Sequence, residues 1–294
     1  ASTLINLLVV LYSFITITYV KTQSNLDRVT SSIKFAITLV CFIFIIDSTY
    51  RVLNPSMPTE AAMEAVEGTS NYFYVFKFNT LMFADSNTVA IACLCFFCLL
   101  TYLTNRFSIK TTYLRLLFFI IRLSTLSRAA ILVVLVFYFY SNQKVSWLIK
   151  AHITLLGGSL IGVLVVALSN DGSLLSKLYI IMNFLGYYEV IDISSFLLGV
   201  GLDNSPSVLG GVYSHIHFVT ALVEGGAFGF ILLTLFLCIT VYITRMQALY
   251  IIIPNIAVGF SYFFYLGAPF VFVPIAVICF LERNYYHHIT DLRR

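Results

Sequence analysis

Long apolar stretches alternate with short polar segments along the whole chain. About 20 apolar residues in a helix cross the roughly 30 Å hydrocarbon core of a bilayer, and helices satisfy their own backbone hydrogen bonds there. The pattern therefore predicts an all-α, polytopic membrane protein with about nine transmembrane helices. We expect the spans at residues 3–20, 33–50, 83–103, 111–126, 129–141, 152–169, 216–243, 247–267 and 269–282.

Composition supports a single integral-membrane domain over residues 1–294. Of the 294 residues, 60% are hydrophobic and only 10% are charged, and the mean hydropathy of +0.95 excludes a soluble globular protein. The chain starts with Ala1, and an apolar run begins by Leu4. We therefore expect further sequence before it, with a cleaved signal peptide as the alternative.

The stretch 111–141 is apolar enough to be read as one long helix or as two helices that turn at Ser127 and Arg128. Basic residues collect on the cytoplasmic side of membrane proteins. Two helices place most of the 17 Lys and Arg residues on one side, whereas one helix would spread them almost evenly. The hairpin is therefore favoured, and the cytoplasmic residues would be Lys21, Arg28, Lys34, Arg106, Lys110, Arg115, Lys144, Lys150, Arg245, Arg283, Arg293 and Arg294.

This topology gathers the polar chemistry on the outer face. Two larger loops, 47–82 and 170–215, fall outside, together with the turn at Arg128. Within the second loop, the segment from Leu174 to Tyr188 is apolar but short, which is typical of a helix that lies in the membrane interface.

Two arginines in the hairpin are candidates for binding an anion. Arg128 lies at the outer turn, where its guanidinium can donate paired hydrogen bonds to phosphate oxygens. The alternative is an arginine that reaches lipid phosphates. Arg122 lies almost two turns earlier, and an ionisable residue at membrane depth is a functional candidate.

Two histidines and a glutamate mark the start of the span 216–243. His215 and His217 can take or give a proton near neutral pH, although a histidine hydrogen-bonded at a helix end is the alternative. Glu224 is nine residues after His215, about 13 Å along a helix, so the two cannot touch. A glutamate at this depth is expected to face a polar cavity or a helix partner.

The first outer loop and the span that follows it supply further polar candidates. Asp85 and Asn87 open that span, where capping of the helix alone would explain them. Lys77 and Arg51 could serve binding or solubility. All six cysteines lie in apolar runs, and neither a nucleotide-binding motif nor a metal-binding motif is present. We expect no metal, no cofactor and no nucleic-acid partner.

Three motifs resemble the signature of the O-antigen polymerase and O-antigen ligase superfamily. LSTLSRAA (Leu123 to Ala130) is similar to the family's Ser-Arg turn, and FADSNTVA (Phe83 to Ala90) to its Asp-x-Asn opening. FLLGVGLDN (Phe196 to Asn204) precedes a histidine, a glutamate and a glycine-rich exit at Gly225, Gly226 and Gly229. The family often has Asn directly after the histidine, whereas this chain has Ile216 and then His217, which makes His217 the alternative base.

The resemblance implies a glycosyltransferase that polymerises lipid-linked oligosaccharide repeat units at the periplasmic face of the bacterial inner membrane. Its substrate would be an oligosaccharide on undecaprenyl diphosphate, and a chain-length regulator would be a candidate partner. In this reading His215 and Arg128 are catalytic. The residues predicted to bind the substrate are Arg122, Lys77, Arg51, His217, Asp85, Asn87 and Glu224. The alternatives are a ligase that transfers the glycan to lipid A core, a flippase or transporter, and a structural membrane subunit.

Overall fold

The computed structural model describes residues 11, 13, 26–56, 76–77, 79–81, 83, 85–141, 145–146, 148–150, 172–214, 216–260 and 268–292. Within these residues the protein is all-helical and contains no strand. The helices are α1 (Leu26–Leu53), α2 (Ser86–Phe107), α3 (Thr112–Ser124), α4 (Arg128–Ser141), α5 (Gly172–Val190), α6 (Ile193–Leu198), α7 (His217–Ile243), α8 (Leu249–Gly259) and α9 (Pro269–Leu292). A short 3-10 helix covers Ser205–Ser207.

The all-α class is confirmed, and helices occupy the predicted spans wherever the structure describes them. The predicted spans 152–169 and, apart from residues 11 and 13, 3–20 lie outside the described residues. Three helices are long and apolar enough to cross a membrane, namely Asp27–Leu53, Ser86–Phe107 and His217–Ile243. Helices α4 and α8 are shorter apolar helices. The structure therefore supports a membrane protein, and the number of spans stays a prediction.

The chain divides into two compact units. The first comprises Ala1–Leu132, Thr240–Asn255 and Gly267–Arg294, and the second comprises Val133–Ile239 and Ile256–Leu266.

Helix α2 is the centre of the first unit. It packs against α1, α3 and α9, and 78% of the residues in its most apolar 18-residue stretch are buried. A helix that is apolar all round is typically enclosed by other helices. Phe44 of α1, Phe96 of α2 and Phe118 of α3 hold the three helices together, with ring centroids 5.8–6.2 Å apart.

The hairpin at Ser127 and Arg128 has the predicted two-helix form. Helix α3 ends at Ser124 and α4 begins at Arg128. The turn between them is tight because Leu126 has a positive φ of 57°, a conformation that costs a branched side chain energy. The N–H groups of Thr125 and Leu126 donate to the carbonyls of Arg122 and Leu123. The turn thus provides hydrogen bonds for two carbonyls at the end of α3 while it reverses the chain.

A buried ion pair joins the far end of α2 to α9. Arg106 donates from Nε and Nη2 to the two carboxylate oxygens of Glu282, at 2.9 and 3.0 Å. The Tyr102 hydroxyl donates to Oε1 of the same carboxylate at 2.8 Å. Glu282 is only 1% exposed, so these three bonds compensate the burial of its charge.

We expect Glu282→Ala to lower the stability of the protein by about 1.5–3 kcal/mol, because it leaves Tyr102 and Arg106 without a buried charged partner. Thermal unfolding in detergent would measure the change, with size-exclusion chromatography to detect the protein that stays folded after heating. Asp27→Ala removes an exposed acid and serves as the control. Equal melting temperatures for the two variants would contradict the assigned role of Glu282.

Candidate functional site

Three predicted site residues come together at the first turn of α2. Lys77, in the loop before α2, lies within electrostatic range of both Arg128 and Asp85. Asp85 immediately precedes α2, and Arg128 is the first residue of α4. Arg128 is exposed, whereas Lys77 and Asp85 are partly buried. These residues are separated by up to 51 positions in the sequence, yet they form one charged cluster in the first unit, called the Lys77 cluster below.

Two buried side chains brace this cluster. Arg51, at the end of α1, donates from Nη1 to the Phe76 carbonyl at 2.6 Å and from Nη2 to the Ser124 carbonyl at 2.9 Å. Ser86, at the start of α2, donates from its N–H to the Lys77 carbonyl and from Oγ to the Thr125 carbonyl, both at 2.9 Å. Each brace therefore links the loop at 76–77 to the turn at 124–125, and the two braces attach one residue apart.

Arg51 was predicted to bind substrate, and the structure shows what its guanidinium contacts. The side chain is completely buried, and both of its terminal nitrogens donate to protein carbonyls. Asp47, one turn earlier in α1, accepts from the Leu81 N–H at 2.7 Å and ties down the same loop. The observed contacts of Arg51 therefore position Lys77, and direct contact with substrate stays a prediction.

Asp85 and Asn87 form the cap of α2. The Asp85 carboxylate accepts from the Thr88 N–H and the Thr88 hydroxyl, both at 3.0 Å. Asn87 donates to its other oxygen at 3.1 Å. These bonds satisfy the capping alternative, and the substrate-binding role of both residues stays a prediction.

Lys77 has a perturbed acidity. Burial lowers the pKa of its ammonium group below the ordinary value for lysine, and the positive charge of Arg128 lowers it further. The Asp85 carboxylate opposes both effects and raises this pKa. Asp85 therefore helps to keep Lys77 protonated beside a second cation.

Arg122 lies at a different depth from the Lys77 cluster. Its side chain is 1% exposed, and its three guanidinium nitrogens have no hydrogen-bond partner among the described residues. The guanidinium is in electrostatic range of Cys93, Cys95 and Cys98. Cys95 is nine residues into α2, about 14 Å from its start. Arg122 is thus a buried charge beside the middle of α2, and its predicted role in binding the same anion as Arg128 stays a prediction.

In the second unit, two glycine-rich segments pack backbone against backbone. The Val200 N–H donates to the Val223 carbonyl at 2.9 Å, and the Gly201 N–H donates to the Glu224 carbonyl at 3.2 Å. Helix α7 is broken here, because Gly226 has φ 62° and ψ −173°. A Cβ atom on Gly199 would lie 2.3 Å from the Glu224 carbonyl oxygen, and one on Gly226 would lie 2.4 Å from the Gly199 nitrogen. Only glycine permits this approach.

The first half of α7 carries a buried polar stripe. His217, Thr220 and Glu224 follow at intervals of three and four residues, so they share one helix face. Their exposed fractions are 9%, 1% and 5%. Gly259 of α8 approaches the Cβ of His217, since a Cβ built on that glycine would lie 3.1 Å from it. His215 lies outside the described residues, so its predicted role as the base stays a prediction.

Sequence reasoning missed the residues that position the cluster. Ser86 lies between two capping candidates, Asp85 and Asn87, and carries no signal of its own. Asp47 is an acid at the end of an apolar run, and this position could have identified it. The partners of Arg51 gave no signal, because they are 25 and 73 residues away. In the part of the chain that the structure describes, no group of three or more His, Cys, Asp or Glu residues could hold a metal ion.

No protein-family model, curated protein or solved structure matches this chain. The resemblance to the polymerase and ligase superfamily therefore depends on the three sequence motifs.

We expect Gly226→Ala to destabilise the second unit, because alanine must adopt a positive φ, at a cost of about 1–3 kcal/mol, and its Cβ collides with backbone atoms. Gly225→Ala is the matched control, since a Cβ on Gly225 meets nothing within 4 Å. Thermal unfolding of both variants in detergent would measure the difference. Equal stability would show that the close backbone contact is not present in the protein.

Proposed function

We propose that the protein is a membrane glycosyltransferase that polymerises oligosaccharide repeat units carried on undecaprenyl diphosphate, with its site facing the periplasm. The observation that carries this proposal is the Lys77 cluster, in which the braces of Arg51 and Ser86 bring Lys77 and Arg128 close together. Two cations at the end of a membrane helix suit a lipid-linked diphosphate, whose charge lies at the membrane surface.

The reaction transfers the growing glycan to a sugar hydroxyl of the next lipid-linked repeat unit. The bond between the anomeric carbon and the phosphate oxygen breaks, and undecaprenyl diphosphate leaves with the electron pair. A bond forms between the anomeric carbon and the acceptor oxygen, and a base takes the hydroxyl proton. Arg128 and Lys77 would stabilise the negative charge that develops on the leaving diphosphate. His215 is the proposed base, with His217 as the alternative.

The glycine contact in the second unit also supports the family assignment. The motif FLLGVGLDN and the glycine-rich exit belong to the same resemblance, and Gly201 of the first lies 23 positions before Glu224, which precedes the second. In the structure Val200 and Gly201 bond directly to Val223 and Glu224. A shared structural element explains why both motifs are rich in glycine.

Transport of a lipid-linked glycan is the second candidate function. The break of α7 at Gly226 favours it, because transporters often bind substrate where a transmembrane helix is interrupted.

Purified protein in nanodiscs, supplied with lipid-linked repeat units, separates the candidates. A polymerase forms a ladder of longer glycans, a ligase requires lipid A core as the acceptor, and a transporter forms no new glycosidic bond. If folded protein in nanodiscs forms no ladder, the proposal is overturned.

In this assay we expect Arg128→Lys to raise the KM for the lipid-linked donor by about 10- to 100-fold, because lysine keeps the charge but cannot form the bidentate hydrogen bonds of arginine. Lys110→Ala, which removes an exposed cation next to α3, is the control. A normal KM for the Arg128 variant, at normal abundance in the membrane, would remove this residue from the site.

The charge on Lys77 gives a separate, pH-dependent prediction. Donor binding should weaken as pH rises through the lowered pKa of Lys77, since the ammonium group then loses its charge. Asp85→Asn keeps a capping residue but removes the carboxylate that raises this pKa. We therefore expect the alkaline limb of the donor KM profile to move to lower pH in Asp85→Asn.

The control for this experiment is Lys77→Arg, which stays charged over the accessible pH range and should abolish the limb. An alkaline limb that is unchanged in both variants would show that Lys77 does not contact the donor.

A further inference from the structure

Helix α5 carries an exposed apolar stripe. Leu178, Ile181, Met182 and Leu185 are spaced as i, i+3, i+4 and i+7, so they form one face of the helix. Their exposed fractions are 48%, 39%, 71% and 56%. Helix α5 is not among the candidate membrane-spanning helices. A sustained apolar face of this kind on a non-spanning helix requires a partner.

The opposite face of α5 fixes its position in the second unit. Ile180 is completely buried in a cluster with Ile216, Val219 and Val223, and Phe184 and Tyr187 pack against the same cluster. Asn183 adds a hydrogen bond to the Leu209 carbonyl at 3.3 Å. The helix therefore cannot rotate to hide its exposed stripe without losing these contacts.

The contacts with α7 also give the depth of α5. Val223 is six residues after the first residue of α7, which corresponds to about 9 Å along the helix axis. Helix α7 is long and apolar enough to cross a membrane, so α5 packs against the end of a span. Amphipathic helices in the interface bury their apolar face about 5–10 Å into the boundary between headgroups and acyl chains. The depth of α5 fits that layer.

The residues around the stripe agree with an interfacial position. Tyr179 is 50% exposed, and tyrosines are enriched where a membrane meets water. The next segment continues the apolar surface, since Val190, Ile193 and Leu198 are 82%, 79% and 68% exposed.

We propose that the exposed stripe of α5 is a lipid-binding surface that inserts into the membrane leaflet at the His217 end of α7. The lipid binds through its acyl chains next to the headgroups, and the stripe anchors the segment between α5 and α7 to the membrane surface. The inference is independent of the reaction that the protein catalyses.

Site-directed fluorescence in nanodiscs tests the surface directly. The starting variant carries Cys238→Ala and Cys279→Ala, because these are the two cysteines that are not buried. Met182→Cys then places one environment-sensitive probe on the stripe. We expect its emission to be quenched by lipids with a nitroxide near the headgroup, more than by lipids with a nitroxide at the chain end, and to be protected from iodide in water.

Two reference positions calibrate the quenching. A probe on native Cys238, which is exposed on α7 and is kept in a variant that carries only Cys279→Ala, should be quenched by lipid nitroxides. A probe on Asn204→Cys in the starting variant, in an exposed part of the loop after α6, should be quenched by iodide. Iodide quenching of the Met182 probe equal to that at Asn204 would overturn the proposal. Protection from both quenchers would also overturn it, because a protein would then cover the stripe.

Discussion

The charged end of the first unit depends on the burial of Arg51. Its guanidinium is completely enclosed, and burying a charge is costly unless hydrogen bonds replace its water. The carbonyls that do so belong to Phe76 and Ser124, in two segments far apart in the chain. Bonding both terminal nitrogens of this one arginine therefore requires the loop before α2 and the turn after α3 to meet. Lys77 and Arg128 are neighbours as a consequence.

The same constraint acts on the backbone in the second unit. Breaking α7 at Gly226 releases the carbonyls of Val223 and Glu224 from their helical partners, and unpaired backbone groups are expensive in an apolar environment. The N–H groups of Val200 and Gly201 replace those partners. A segment outside the helix is thus built into it, which requires glycine at positions 199 and 226 because the two backbones leave no room for a Cβ atom.

Local features of the chain could be predicted from the sequence, whereas long-range contacts could not. Charge distribution located the turn at Arg128, and residue type identified the cap at Asp85, because both depend on neighbouring residues. The pairing of Arg106 with Glu282 spans 176 residues and depends on how the helices pack. Arg122 shows the limit most clearly. Its place in the sequence marked it as an ionisable residue at membrane depth, but gave no sign that its guanidinium comes within electrostatic range of three cysteines of α2.

Burial separates the arginines into different roles. Arg51 is enclosed and bonded to carbonyls, so it holds the loop before α2 and the turn after α3 in place. Arg128 is exposed at the start of α4, where the positive end of the helix dipole adds to its positive potential. The enclosed arginine thus provides rigidity, and the exposed one is the residue that we propose contacts the substrate.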